Sequence, residues 1–104
     1  MLVRVVQLHL RPETVPVFLE VFATHQKKIL ENSGCISVQL LQLDQDPGHL
    51  ATLSHWTNQE ALDHYRHSEF FRGLWSKVKP MFSEKAQAFS YHILDSKNHL
   101  SDEV

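Results

Sequence analysis

His9, Gln7 and Tyr65, with the large aromatics Trp56, Phe71 and Trp75, are the side chains here that could bind or convert a small molecule. Imidazole is the side chain suited to take a proton from a phenol near neutral pH, which makes His9 a candidate general base. Gln7 shares its strand face and could steady an oxygen, while Tyr65 could hydrogen-bond a phenolic one. Trp56, Phe71 and Trp75 offer flat faces on which a substrate ring can stack. Each has a plainer reading. Aromatics at helical spacing are ordinary core, and a strand histidine can bond across an interface or sit at an exposed strand end.

The other reactive types carry less. His64 and His67, at i and i+3, can meet on one helix face as metal ligands do, but no third or fourth donor is placed by spacing, so no metal is expected. Cys35, the single cysteine, has no cationic neighbour in sequence and reads as a packed thiol. It has no partner for an intrachain disulfide, and no apolar run is long enough to span a bilayer, so the expected compartment is the cytoplasm. A net charge of −2 with scattered Lys and Arg leaves no footprint for a phosphate backbone, which argues against nucleic acid.

The elements that must position these groups follow from periodicity. Residues 2–10, LVRVVQLHL, form a strand on which Gln7 and His9 share a face with Val3 and Val5. Arg11-Pro12 breaks it. Thr14 to Asn32 carries Val15, Phe18, Leu19, Phe22, Ile29 and Leu30 near helical spacing, with Thr14 as N-cap and Gly34 supplying the left-handed C-terminal cap. Cys35 to Asp44 is a second strand, with Ile36, Val38 and Leu40 on one face. Asp46-Pro47-Gly48 has turn chemistry, so Leu50 to Trp56 returns as the third. Thr57 and Glu60 make the spacing of a capping box, and Ser68 with Glu69 a second cap, leading into Phe71, Leu74, Trp75, Val78 and Phe82. Ala86 to Leu94 alternates as the fourth strand. The polar tail 96–104 has no period, and 1–95 reads as a single domain.

This order, β-α-β-β-α-β, predicts an α+β ferredoxin-like unit with one four-stranded antiparallel sheet and the helices on one side. Both parities of the strands carry large apolar groups, so the uncovered face is not expected to meet water. A homodimer packed sheet to sheet, a dimeric α+β barrel, meets that requirement.

Trp56, Ala61 and Leu62 in a W-x4-A-L run, preceded by Gly34-Cys35 and followed by Ser68 and Phe71, resemble the antibiotic biosynthesis monooxygenase domain family across nearly residues 2–94. The resemblance implies a dimeric α+β barrel with a pocket in each subunit. It also implies a small oxygenase-like enzyme that lets a hydrophobic phenol, quinol or anthrone-like substrate react with O₂ without metal, flavin or other cofactor. His9 or Tyr65 would then deprotonate or hydrogen-bond, Gln7 steady the oxygen, and Trp56, Phe71 and Trp75 hold the ring. Relatives commonly carry a histidine where this chain has Tyr65, and another at Phe70. Trp75 stands where the heme-degrading branch has its ligand and Gln7 where that branch has asparagine, so heme degradation is not expected. The alternatives are an isomerase or degradative enzyme for a small phosphorylated carbonyl compound, which needs pocket cations such as Arg4, Arg66 or Arg72, and a non-catalytic dimeric binding protein.

Overall fold

The computed structural model describes residues 1–94, so the expectation of a polar tail at 96–104 lies outside the described residues. Strand β1 (Leu2–His9) leads through a 3₁₀ turn at Pro12–Thr14 into helix α1 (Val15–Leu30). The hairpin of β2 (Cys35–Leu43) and β3 (Asp46–Trp56) follows. Two short helices, α2 (Gln59–Arg66) and α3 (Glu69–Val78), then deliver the chain to β4 (Gln87–His92). The sheet order is β2-β3-β1-β4 with every neighbouring pair antiparallel. This is the ferredoxin-like arrangement expected from the element order.

Three local expectations are corrected. The cap of α2 is Asn58, whose Oδ1 accepts from Ala61 N–H at 2.9 Å, so Thr57 plays no part in it and the chain stays extended one residue further. Thr14 stands at the N-cap of α1 but makes no capping bond; its hydroxyl instead donates to the carbonyls of Arg11 and Met81. The hairpin turns at Asp44-Gln45, not at Asp46-Pro47-Gly48, because Leu43 pairs directly with Asp46. Gly48 serves a different purpose there. Its carbonyl accepts from Leu10 N–H at 2.8 Å, and a Cβ at this position would come within 2.9 Å of the Leu10 oxygen.

Gly34 does have the left-handed φ of +86°, but α1 ends with Glu31 as a right-handed C-cap, so the glycine turns the chain into β2 instead of capping the helix. One predicted cap stands as read: Ser68 Oγ accepts from Phe71 N–H at 3.1 Å to start α3. Ser68 also donates to the Tyr65 carbonyl at 2.7 Å, so one hydroxyl joins the end of α2 to the start of α3. In β2 a register shift between Cys35 and Ser37 leaves Ile36 unpaired and exposed, which takes it off the face it was expected to share with buried Val38.

Along β1 the helix-facing residues are Leu2, Arg4, Val6 and Leu8. Along β3 they are Leu50, Thr52, Ser54 and Trp56, and the register pairs them Leu2 with Trp56 and Leu8 with Leu50. The large ends are buried in two separate clusters. One gathers Leu2, Ile29, Val38, Trp56, Leu62 and Tyr65, the other Leu8, Leu10, Phe18, Leu50 and Val78. The centres of both strands carry smaller or polar groups. The opposite sheet face carries Val3, Val5, Gln7 and His9 of β1 and, among the described residues, no helix. Phe89 and Tyr91 of β4, paired with Val5 and Val3, share it at 42% and 55% exposure.

Candidate functional site

Between the two clusters lies a cavity of about 350 Å³, walled by the sheet on one side and all three helices on the other. Its origin is compositional. Thr52 and Ser54 at the centre of β3 and Ala86 and Ala88 beside β1 are too small to fill the space that the bulky strand ends hold open. The volume is in the range of small-molecule sites, and the lining is mostly apolar with a few polar groups.

The aromatic side chains form a continuous chain along one wall. Trp56 stacks on Tyr65 with centroids 5.0 Å apart, Tyr65 meets Phe71 edge to face at 5.1 Å, and Phe71 stacks on Trp75 at 5.8 Å. Phe82 closes the series edge-on to Trp75 at 5.3 Å. Such pairs each contribute about 0.5–1.5 kcal/mol beyond burial and fix the ring orientations. Trp56 is wholly buried, with Nε1 donating to Ser54 Oγ at 2.9 Å, so it is both core and pocket wall. Phe71 and Trp75 are half-buried and keep surface for a ligand.

Tyr65 is buried, and burial, with the Cys35 thiol beside it, pushes its phenol pKa up. It is therefore a neutral donor at physiological pH and not a base. Among the described residues no buried side-chain polar atom lacks a partner and no protein group bonds the Tyr65 hydroxyl, which places that oxygen at the accessible surface of the cavity. Cys35, also raised by burial, is a protonated packed thiol.

Gln7 and His9 are not brought to this site. The two-residue period of β1 puts both on the helix-free face. There the His9 ring lies 4.3 Å from that of His49, with Nε2 3.3 Å from Glu84. Contact with a substrate in the cavity is closed to them by the sheet itself. In their place the cavity is lined by Arg4 and Arg66, two of the arginines named above for the isomerase alternative, and by His67, considered above only as a metal ligand; Arg72 is not among the lining residues. The His67 Nδ1 is 2.7 Å from the Asp63 carbonyl, which only accepts, so Nδ1 carries a proton and, in the neutral ring, Nε2 is the acceptor. The sequence signal for these residues was parity. Arg4 alternates with Leu2, Val6 and Leu8 on the buried side, and His67 occupies the break between two caps.

A four-stranded antiparallel sheet with helices on one face and a cavity between them defines a ferredoxin-like α+β domain with an aromatic-walled cavity. The chain belongs to the antibiotic biosynthesis monooxygenase family, whose model matches residues 1–74. Among solved structures it is similar to an antibiotic biosynthesis monooxygenase, with 21% identity and a TM-score of 0.84 over 91% of this chain and all of that one. A conserved protein of Methanosarcina mazei Go1 is 23% identical at a TM-score of 0.81, covering 88% of this chain and 91% of that one. Rv0793 of Mycobacterium tuberculosis is 17% identical at 0.82, covering 90% and 95%. At these identities the likeness is one of fold. No curated protein matches the chain.

Proposed function

We propose that this protein is a small oxygenase that binds a flat, electron-rich aromatic substrate and lets it react with O₂ without metal or flavin, working as a homodimer packed through the helix-free sheet face. The observation that carries the reading is the cavity of about 350 Å³ with Tyr65, Phe71 and Trp75 along its wall. Membership of a family described as monooxygenases supports the reaction class.

For an anthrone-like substrate the chemistry balances with O₂ alone. A base removes a proton from the activated CH₂, and the resulting carbanion forms a C–O bond with O₂ and takes up a proton as a hydroperoxide. Loss of water then leaves a ketone, so one oxygen atom enters product and the other leaves in water. The protein has to supply a base, a hydrogen-bond donor for the developing oxyanion and a dry enclosure. Nε2 of His67 at the pocket rim is the base, Tyr65 the donor, and Phe71 with Trp75 the stacking surface. In the homodimer, Gln7 and His9 belong to the interface.

Oxygen uptake by the purified protein with a planar hydroquinone or anthrone, with no flavin, heme or metal added, tests the reading. Uptake that is lost in His67→Gln supports it. Binding without uptake across a panel of phenols and quinols would retire it. The isomerase reading draws on one observation, that Arg4 and Arg66 both line the cavity, but the extended aromatic wall gives a small phosphorylated carbonyl compound little to contact.

A further inference from the structure

Arg4 occupies the centre of the helix-facing side of β1, on a strand position otherwise held by Leu2, Val6 and Leu8. Its guanidinium Nη1 donates to the neutral hydroxyl of Ser90 at 3.1 Å, and among the described residues no carboxylate lies within 4.0 Å of it. Arg66, immediately after Tyr65 at the end of α2, faces the same cavity from the helix side and touches one carboxylate, Asp63, at 3.7 Å. Two cations thus approach one apolar cavity from opposite walls, and the one carboxylate near them, Asp63, sits beside Arg66 on its own helix.

That arrangement is costly without a ligand. Burial, and next the charge of Arg66, lower the pKa of Arg4, while Asp63 opposes them weakly. A half-buried guanidinium that repels its neighbour is stabilised by an oxyanion, and its planar fork suits carboxylate and phosphate oxygens alike.

We propose that Arg4 and Arg66 form an anion clamp at the mouth of the cavity, so that the substrate is an aromatic compound bearing a carboxylate or phosphate, its charged end at the clamp and its ring inward against Phe71 and Trp75. This inference rests on the reading of the cavity as an aromatic pocket. It adds orientation to that reading: the anion fixes one end of the ring system, so the reacting carbon is presented at a set distance from Tyr65 and His67. It also accounts for a charged residue at a half-buried, helix-facing strand position.

Isothermal titration of the full-length protein with 2-naphthoate, 2-naphthyl phosphate and the neutral isostere 2-naphthamide separates the terms. The charged probes are expected to bind at least about tenfold more tightly than the amide, with the gap narrowing as salt is raised. The tighter of the two anions identifies the headgroup. Arg66→Gln, on an exposed helix position, should shrink the gap at least about threefold while leaving amide affinity unchanged, and Arg4→Gln should remove it. Should Arg4→Gln unfold, Arg66→Gln and the salt series carry the test. Equal affinities for all three probes would overturn the clamp and leave the aromatic pocket standing. Inorganic phosphate binding as tightly as 2-naphthyl phosphate would keep the clamp and retire the aromatic wall, and no binding by any probe would overturn both.

Discussion

Tyr65 stands at the meeting point of packing and proposed chemistry, stacked on Trp56, edge-on to Phe71 and tied through its carbonyl to Ser68. Removing its hydroxyl leaves those ring contacts in place. Tyr65→Phe is therefore expected to lower kcat at least about tenfold with little change in KM, and Trp75→Ala to raise KM, both read from steady-state oxygen uptake. The raised pKa of Tyr65 has a stability consequence. A tyrosine of the unfolded chain ionises near 10.0, whereas the folded chain keeps this proton to higher pH. The contribution is fully present below pH 10 and is lost above it, at up to about 1.4 kcal/mol per pH unit. Melting temperature should fall above pH 10, less steeply in Tyr65→Phe. Gly34 is the other residue with no substitute. At φ +86° an added Cβ would be driven into Ala61 Cβ and lie 2.8 Å from Thr57 Oγ1, so Gly34→Ala should cost about 3 kcal/mol in denaturant unfolding.

The cavity is a property of elements, because it exists where the centres of β3 and β4 are small and their neighbours' ends are large. Thr52→Leu, which fills the space from the sheet side, is expected to weaken aromatic binding at least about tenfold in a titration without lowering the melting temperature. An unchanged affinity would show that ligands bind elsewhere. The caps act at the same scale. Asn58→Ala removes the acceptor for Ala61 N–H and should cost about 1 kcal/mol. Ser68→Ala removes two bonds at the α2–α3 junction and should also disturb the Tyr65–Phe71 contact, visible as a change in near-ultraviolet circular dichroism.

For the whole molecule the open question is what covers the second sheet face. Val3 and Val5 lie there beside Phe89 and Tyr91, the last two well exposed, as are Ile36, Leu41 and Leu43. A face of this kind favours self-association. Sedimentation at micromolar protein is expected to show a dimer, and Phe89→Glu to give a monomer. A stable wild-type monomer would remove the sheet-to-sheet assembly. Truncation after Asp95 is expected to leave the melting temperature unchanged, since the removed segment has no apolar period to bury.

Element order, the sheet's antiparallel pairing, the αL glycine at 34 and the Ser68 cap were all legible in the residues, because each depends on a local period or on one residue's backbone preference. The aromatic wall was legible too, since Trp56, Tyr65, Phe71 and Trp75 fall on the inward faces of their elements. The start of α2 and the hairpin turn were misplaced by one to a few residues, where several polar residues compete for one cap or one turn and long-range pairing decides between them. The polar half of the site was legible only in part: Arg4 and Arg66 stood among the candidate pocket cations, whereas Arg72 does not line the cavity and His67 did not stand out as a base. Gln7 and His9 drew attention as a pair on one strand face, yet which face meets the helices depends on how α1, α2 and α3 dock, and that docking turns Arg4, Val6 and Leu8 toward the cavity. Only the tertiary structure could place Arg4 and Arg66 across one cavity, because they come from strand and helix 62 positions apart in the chain and meet through packing that neither residue's neighbours encode.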